Sequence, residues 1–206
     1  MGRTPVRMQG DEIRYLVAVL RRHDLPTLRH SQRVASLARG IARLLGWDRD
    51  SLQMLTVAGL LHDVGKLAVD PAILNKPGRL TDEEWEAIRR HPVVSEELVL
   101  RATGSSRIAA WVRSHHERWD GGGYPDGLSG TAIPLASRLL ALADAFDAMT
   151  EGRPYHLQPL TVDAALAEID RQSARQFDPE LAPLFIAMIR ARPPLPGDLP
   201  RQWPPQ

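Results

Sequence analysis

Apolar residues recur at helical spacing along almost the whole chain, and this periodicity most constrains the fold. Residues three or four apart share one face of an α-helix. No stretch of useful length alternates between apolar and polar residues, as a strand would, and there is no internal repeat. The apolar series are Ile13, Leu16, Val17 and Leu20; Leu28, Val34, Leu37, Ala38, Ile41, Leu44 and Leu45; and Leu52, Leu55, Val57, Ala58, Leu60 and Leu61. The 206 residues therefore predict an all-α fold, a single helical bundle with a sizeable core.

Glycine and proline mark where the predicted helices end. Gly46 is a plausible C-terminal stop, and Gly65 and Pro71 break the next helix. Residues 68–80 carry two prolines and a glycine and are expected to form a loop. Thr81 and Glu84 have the spacing of a capping box that opens another helix.

Further helices are expected in the second half of the chain. The helix that begins at Thr81 meets Pro92 directly after His91, so His91 is expected at a helix end or kink. Another helix is predicted from about Ser105 into His115 and His116. The remaining predicted helices start at Pro134, the helix that carries Asp144, and at Asp178-Pro179, the helix that runs to Ile189.

The expected domain organisation is simple. Residues 1–25 form an N-terminal helical segment, residues 26–191 form the main domain, and residues 192–206 form a proline-rich tail. We expect no second domain of comparable size.

Composition limits the class of protein. The formal net charge of +1 favours neither nucleic acid nor an anionic membrane as a partner. No apolar run approaches the ~20 residues that span a bilayer, and the start of the chain resembles neither a signal peptide nor an anchor. There are no cysteines, so any metal must be held by nitrogen and oxygen ligands. We therefore expect a cytoplasmic protein that binds neither membrane nor nucleic acid.

Histidine and aspartate cluster in the middle of the chain. The pattern comprises His62-Asp63, His91 and His115-His116, with His30 upstream and Asp144 downstream. Neutral imidazole with carboxylate is the ligand set of a hydrolytic transition-metal site. Five histidines and two aspartates exceed what one ion uses, and they suit two ions ~3.5–4 Å apart that promote phosphoester hydrolysis.

Each of these residues also has an ordinary interpretation. His30 alone fits a core or surface histidine, and His62-Asp63 alone fits a helix cap. His91-Pro92 alone fits a structural role, and His115-His116 fits a solvated face. Asp144 is the exception, because a carboxylate in an apolar stripe is costly to bury unless it is paired or bound to metal.

Two other features adjoin the clusters. Lys66 and Lys76 are the only lysines among 26 basic residues, and both follow the first cluster, although chance explains two cases. A compact ammonium suits a single contact with phosphate or carboxylate. The glycine-rich segment 121–130 follows no strand, so it is neither a dinucleotide fingerprint nor a phosphate-binding P-loop.

Taken in order, these motifs resemble a known family. The run from His62 to Lys66, HDVGK, is similar to the signature of the HD superfamily of metal-dependent phosphohydrolases. The run from His115 to Leu128, HHERWDGGGYPDGL, closely resembles the extended motif of its HD-GYP branch. Supporting matches are Asn75-Lys76-Pro77-Gly78, Ile133-Pro134-Leu135, Asp144-Ala145-Phe146-Asp147-Ala148-Met149 and Arg153-Pro154-Tyr155, and the resemblance covers residues 26–190.

The resemblance implies a helical domain that binds iron or manganese and hydrolyses cyclic di-GMP to pGpG and often to GMP, with a bridging hydroxide as the nucleophile. It assigns His30, His62, Asp63 and Asp144 to one ion, and it makes Asp63 a bridge to a second ion held by His91, His115 and His116. Lys66, with Asp63, is assigned to catalysis and would orient or neutralise the scissile phosphate. The implied substrate contacts are Lys66, Arg153, Gly123, Tyr124, Pro125 and Asp126, and the Gly-Tyr-Pro surface is implied as a docking site for a diguanylate cyclase or regulator protein.

The sequence departs from the family pattern at three positions. Members with three metals carry Glu where this chain has Pro26, so we expect two ions. Ser95 replaces the usual glycine four residues after His91, and His156 replaces a common basic residue. Both changes could alter the grip on substrate.

Two other functions remain open from the sequence. The chain could be a metal-bearing adaptor with little turnover that docks partners through the Gly-Tyr-Pro surface. It could also be an HD phosphohydrolase of another nucleotide, such as a hybrid cyclic dinucleotide or a nucleoside phosphate.

Overall fold

The structure, a computed structural model, describes residues 10–74, 76, 78–151 and 159–191. Within these ranges the chain is helical and contains no β-strand, since Ser173 and Phe177 form only an isolated bridge. The helices are α1 (Gly10–His23), α2 (Leu25–Leu44), α3 (Arg49–Leu61), α4 (Pro71–Leu74), α5 (Asp82–Arg89), α6 (His91–Thr103), α7 (Ser106–Arg113), α8 (Leu135–Thr150), α9 (Val162–Arg171) and α10 (Leu181–Arg190), with 3-10 turns at Val64–Ala68 and Gly130–Ala132. The predicted all-α fold is confirmed.

Helices α2, α3 and α8 form the frame of the molecule, because α2 packs against both of the others. The side chain of Asp24 caps α2 by accepting a hydrogen bond from the Thr27 amide at 2.9 Å. The helix ends just before Gly46, whose φ of 75° favours glycine. A Cβ on Gly59 would lie 2.7 Å from the Cα of Ala35, so the backbones of α2 and α3 approach closely. This approach brings one side of α3 against the helix that carries His30.

A second group of elements surrounds the 3-10 turn Val64–Ala68, which packs against α6, and α6 packs in turn against α7. The capping box predicted at Thr81 and Glu84 is present at the start of α5. Gly65 lies directly under α6: a Cβ there would be 2.2 Å from the carbonyl oxygen of His91. The Gly65 amide also donates to the Ser95 hydroxyl at 2.8 Å. Glycine at position 65 therefore lets the turn after His62-Asp63 reach the start of α6.

The core is continuous from one group of helices to the other. Fully buried Leu61 and Leu142 of the first group belong to the same apolar cluster as Val64, Val99 and Ile108 of the second. Burial of side chains of this size contributes roughly 1.5–3 kcal/mol each before conformational entropy is counted. The core reaches the ends of α3 and α7 through Leu61 and Val112, next to His62 and His115.

Some predicted boundaries were wrong. The segment 68–80 was predicted as a loop but contains the single turn of α4, where the side chain of Asp70 accepts from the Ala72 amide. Helix α7 ends at Arg113, short of the two histidines. The last regular helix starts at Leu181 rather than at Pro179, although Asp178 still accepts from the amide of Glu180. Helix α9, capped by Thr161, had not been predicted individually.

Several sequence predictions lie outside the described residues. They concern Asn75 and Pro77, the segment from Arg153 to His156, the proline-rich tail and the beginning of the chain. Among the helices that the structure does describe, none has the length and apolar character needed to cross a membrane.

Candidate metal centre

Three of the candidate ligands stand just beyond the C-terminal ends of helices. His62 follows α3, His91 follows α5 and opens α6, and His115 follows α7. Each ring places its Nδ1 near the carbonyl oxygen three residues earlier: 2.8 Å to Gly59, 2.7 Å to Ile88 and 2.5 Å to Val112. Carbonyls in the last turn of a helix lack partners within it, so they accept readily. The Nδ1 atoms therefore carry protons, and the Nε2 atoms are left to face the site.

His30 is oriented by a side chain instead. Its Nδ1 lies 2.6 Å from Oδ2 of Asp147, one turn beyond Asp144 on α8. Arg33 fixes this carboxylate with two hydrogen bonds, from Nε to Oδ1 at 2.5 Å and from Nη2 to Oδ2 at 2.9 Å. A carboxylate behind a histidine fixes the tautomer and the ring orientation of a metal ligand. Asp147 and Arg33 therefore support the site, although neither is positioned to be a ligand itself.

Asp63 lies between the two groups of histidines, buried to 2% exposure. Its Oδ1 is 3.2 Å from Nε2 of His91 and 4.0 Å from Nε2 of His115. Its Oδ2 is 3.4 Å from Nε2 of His62 and 3.7 Å from Nε2 of His30. Each oxygen of one carboxylate thus faces a different set of imidazoles, which is the arrangement of a bridging ligand.

Two adjoining groups could each hold an ion. In each group one ligand atom from every residue lies within 4.8 Å of the others: Asp63, His91, His115 and His116 in one, and His30, His62 and Asp144 in the other. All seven residues that the sequence predicted as ligands are therefore brought together. The expected assignment gave Asp63 to both ions; the geometry groups it with His91, His115 and His116, and its Oδ2 also lies near His62 and His30.

The donor chemistry fits divalent cations. The Nε2 atoms of His91 and His115 lie 3.4 Å apart. When both rings are neutral, two lone pairs face each other, and no hydrogen bond can satisfy them. Nε2 of His62 and Oδ1 of Asp63 are likewise buried without a hydrogen bond to any described residue. Such groups are costly to bury, and a cation that accepts their lone pairs removes the cost.

Electrostatics favours the protonation states that ligands need. Burial and the neighbouring imidazoles lower the pKa of His115 well below its ordinary value, and burial lowers the pKa of His116 to about 3. Burial alone would raise the pKa of Asp63, but the Lys66 ammonium and His62 hold it well below its usual range. These three side chains are therefore deprotonated at neutral pH.

His30 behaves differently. Burial alone would lower its pKa, but hydrogen bonds to Asp144 and Asp147 outweigh burial and raise it to about 9. Without metal, His30 is therefore protonated at neutral pH and is held among carboxylates. A metal ion that binds there must displace this proton.

Both lysines contact carboxylates. Lys66, half-buried, donates to Oδ2 of Asp63 at 2.6 Å, so its ammonium lies at the edge of the site. Lys76 donates to both oxygens of Glu84 at 2.7 and 2.8 Å and ties the preceding segment to α5. Only Lys66 is positioned to act on a ligand at the metal centre.

The glycine-rich loop packs against the site and is firmly anchored. The Tyr124 ring lies 4.9 Å from the His116 ring, measured between centroids. A Cβ on Gly123 would lie 2.4 Å from the Arg118 amide nitrogen, so Gly123 faces backbone. Both oxygens of Asp126 accept from Arg113, and the Asp126 amide donates to buried Glu117 at 2.7 Å. The loop is thus preorganised beside His116.

The residues predicted to contact substrate therefore lie in different surroundings. Tyr124 borders the ligands, Gly123 is against backbone, and the Asp126 carboxylate is engaged by Arg113. Contacts from Gly123, Tyr124, Pro125 and Asp126 to substrate stay predictions, and Arg153 lies outside the described residues. Pro26 is in the first turn of α2 and offers no side-chain donor atom for a third ion.

Sequence reasoning missed Asp147 and Arg33 as site residues. A signal was available: Asp147 follows Asp144 by three positions on the same apolar helix, and Arg33 follows His30 by three on α2. Residues at this spacing share a helix face. The cost of burying a carboxylate, which singled out Asp144, applies equally to Asp147.

Comparisons with known proteins bear on the family of the chain. Residues 15–181 match the HD domain family. The chain is 41% identical over 166 residues to a cyclic di-GMP phosphodiesterase response regulator, RpfG, from Xanthomonas campestris pv. campestris. The match covers 78% of this chain and 42% of that protein. The chain is also 45% identical over 129 residues to 3'3'-cGAMP-specific phosphodiesterase 1 of Vibrio cholerae. That match covers 63% of this chain and 30% of that protein.

The fold is shared with a solved structure. Bd1817, an HD-GYP-type protein from Bdellovibrio bacteriovorus, superposes with a TM-score of 0.66 at 18% identity, over 89% of this chain and 62% of that one. The chain spans less than half the length of the curated relatives described above. They therefore carry segments with no counterpart in the matched region.

Proposed function

The chain belongs to the HD-GYP branch of the HD-domain family, and from this premise we propose that it is a metal-dependent phosphodiesterase that hydrolyses cyclic di-GMP. One observation carries the proposal: the two oxygens of Asp63 face two different groups of ligands. Two ions held side by side are the usual machinery for in-line displacement at a phosphodiester. Relatives of this chain, at 41% and 36% identity, are named cyclic di-GMP phosphodiesterases.

The residues would divide the work as follows. His30, His62 and Asp144 would hold one ion, His91, His115 and His116 the other, and Asp63 would contact both. When bound, two divalent cations lower the pKa of water and polarise a phosphoryl oxygen. The buried carboxylates and imidazoles would hold these ions, and the Nδ1 hydrogen bonds keep the rings of His62, His91 and His115 from turning away.

Lys66 would supply a positive charge next to the reacting group. Its ammonium is bound to Asp63 at 2.6 Å and is partly exposed, so a phosphate oxygen can reach it from solvent. A preorganised cation stabilises the negative charge that grows in the transition state. We propose that Lys66 contacts the scissile phosphate.

We propose two ions per chain, iron or manganese. Nitrogen and oxygen ligands suit either metal. The test is metal analysis of protein purified without oxygen, joined to identification of the product from cyclic di-GMP. About two ions per chain together with pGpG or GMP would support the proposal, whereas metal-replete protein that forms no linear product would refute it.

A second substrate is favoured by a specific observation: the Vibrio cholerae relative at 45% identity is named for 3'3'-cGAMP. Both dinucleotides present the same phosphodiester linkage to the metals and differ in one base. Competition between the two substrates in one reaction would decide which is preferred, since the ratio of their kcat/KM values measures discrimination directly.

The adaptor hypothesis stays open as a prediction, with docking of a cyclase or regulator through the Gly-Tyr-Pro surface. Because Tyr124 packs on His116, a variant at Tyr124 disturbs both the surface and the metal site. A cleaner test is Asp63→Asn. A cellular effect that persists in this variant would favour docking over turnover.

A further inference from the structure

A cyclic dinucleotide brings two phosphodiester anions to the protein, and the metal centre accounts for one of them. The second anion needs a cation at a separate place, outside the seven ligands. A suitable group must be near the site, open to solvent and not already occupied by a carboxylate.

Most cationic side chains that the structure ties to the site or its loop are already occupied. Arg33 holds Asp147 and Lys66 holds Asp63. Arg113 holds Asp126 and Glu96, and Arg118 holds Asp120. The three arginines each neutralise the protein's own acid and have little capacity left for a ligand's charge, and Lys66 is already assigned to the scissile phosphate.

Arg89 differs from all of them. It is the last residue of α5, two positions before His91, and its side chain is exposed. The guanidinium carbon lies over the Tyr124 ring, 5.7 Å from its centroid. Among the described residues it has no acidic partner within 4.0 Å, whereas the next residue, Arg90, reaches Glu86 at 3.7 Å.

The position over Tyr124 keeps this cation close to the site. The Tyr124 ring contacts the His116 ring, so one aromatic side chain separates Arg89 from a metal ligand. A guanidinium over an aromatic face is held loosely, and its N–H groups stay available. Its planar fork also matches a phosphodiester with two parallel hydrogen bonds.

We propose that Arg89 binds the second, non-scissile phosphodiester of the cyclic dinucleotide and thereby selects substrates that carry two phosphates. This inference rests on the proposed phosphodiesterase function. Arg89 would be a substrate-binding residue that determines specificity, and it would not act on the reacting bond.

The test compares cyclic di-GMP with bis(p-nitrophenyl) phosphate, a diester that has a single phosphate, on the metal-loaded full chain. In Arg89→Gln the ratio of kcat/KM for cyclic di-GMP to kcat/KM for the small diester is expected to fall roughly tenfold, mainly through KM. Arg89→Glu is expected to lower the ratio further, because it reverses the charge. Added salt should raise KM for cyclic di-GMP less in Arg89→Gln than in the wild type.

Arg90→Gln is the matched control, because it removes the neighbouring guanidinium from the same helix end. In Arg90→Gln the ratio of kcat/KM for cyclic di-GMP to kcat/KM for the small diester should equal the wild-type ratio. Metal content and thermal stability are measured for every variant, and the Arg89 variants should match the wild type in both.

Several results would overturn the inference. One is an equal kcat/KM ratio, cyclic di-GMP over small diester, in Arg89→Gln and Arg90→Gln. Another is loss of metal from the Arg89 variants, which would assign Arg89 a structural role. The charge of Arg89 would be irrelevant if Arg89→Gln and Arg89→Glu lowered the kcat/KM ratio equally and left the salt dependence of KM unchanged. If the wild type cleaves the small diester but no cyclic dinucleotide, the proposed function itself fails, and the inference fails with it.

Discussion

At the scale of single residues, we expect Asp63 to have the greatest effect, because its two oxygens face histidines of both ligand groups. We expect Asp63→Asn to lower the metal content from about two ions per chain to nearly none. His91→Ala removes a ligand from one group and should leave roughly one ion. Elemental analysis of both variants, purified in parallel without oxygen, measures this. Equal metal contents in the two variants would contradict the bridging role.

The pair of Asp147 and Arg33 gives a second prediction at this scale. Asp147→Asn removes the charge behind His30 but keeps the shape of the side chain, so metal affinity should fall roughly 10–100-fold. Competition with a coloured chelator measures the affinity. Asp170→Asn, a change at an exposed aspartate, is the control and should have no effect. An unchanged affinity in Asp147→Asn would show that Arg33 and Asp147 serve the fold alone.

At the scale of the helices and turns, Gly65 decides how closely the 3-10 turn approaches α6. Gly65→Ala would place a Cβ 2.2 Å from the carbonyl oxygen of His91, a contact that requires backbone movement. We expect the free energy of unfolding to fall by about 1–3 kcal/mol and the ion held by His91 to bind more weakly. Denaturant titration of metal-free protein measures the free energy of unfolding, and metal titration measures the affinity for the ion.

The control for this change is Gly10→Ala, where the added methyl meets only the end of the Arg14 side chain at 3.7 Å. It should be neutral or slightly stabilising, because alanine favours helix more than glycine. If Gly65→Ala were as mild as Gly10→Ala, the turn would have to move freely relative to α6.

At the scale of the whole molecule, metal binding and stability are linked through His30. Its raised pKa means that protonated His30 stabilises the metal-free fold fully below about pH 6.5, and this contribution is lost as pH rises through about 9. The proton also competes with metal, so affinity should rise with pH over this window. Asp63 and Asp144, whose pKa values are well below their ordinary range, do not titrate there.

The increase in Tm on adding manganese should therefore grow between about pH 6.5 and pH 8.5, with roughly one proton released from His30 for each chain loaded. Thermal melts and calorimetry in buffers of different ionisation enthalpy measure the two effects. Asp63→Asn serves as the control and should show little increase at any pH. An increase in Tm that is independent of pH would contradict the protonated state of His30.

Much of this molecule could be predicted from local patterns, and the failures have physical causes. Apolar spacing and capping residues are local, so the helices around Leu28, Thr81 and Asp144 were predicted. The seven candidate ligands carry distinctive chemistry, and the structure brings this predicted set together. Asp147 and Arg33 were missed because their role depends on α2 packing against α8, a contact between residues more than a hundred positions apart. The sequence gives no reason to propose Arg89, because an exposed arginine in an arginine-rich chain carries no distinctive pattern.

The hydrogen bonds from His62, His91 and His115 to carbonyls of their own helices set a limit on adaptability. Turning any of these rings over would leave a buried carbonyl and a buried N–H unsatisfied, at a cost of roughly 1–3 kcal/mol for each group. Swapping one ion for another of different radius must therefore be accommodated by sliding whole helix ends, which a close-packed core resists. We therefore expect the site to discriminate among divalent metals of equal charge by their ionic radius.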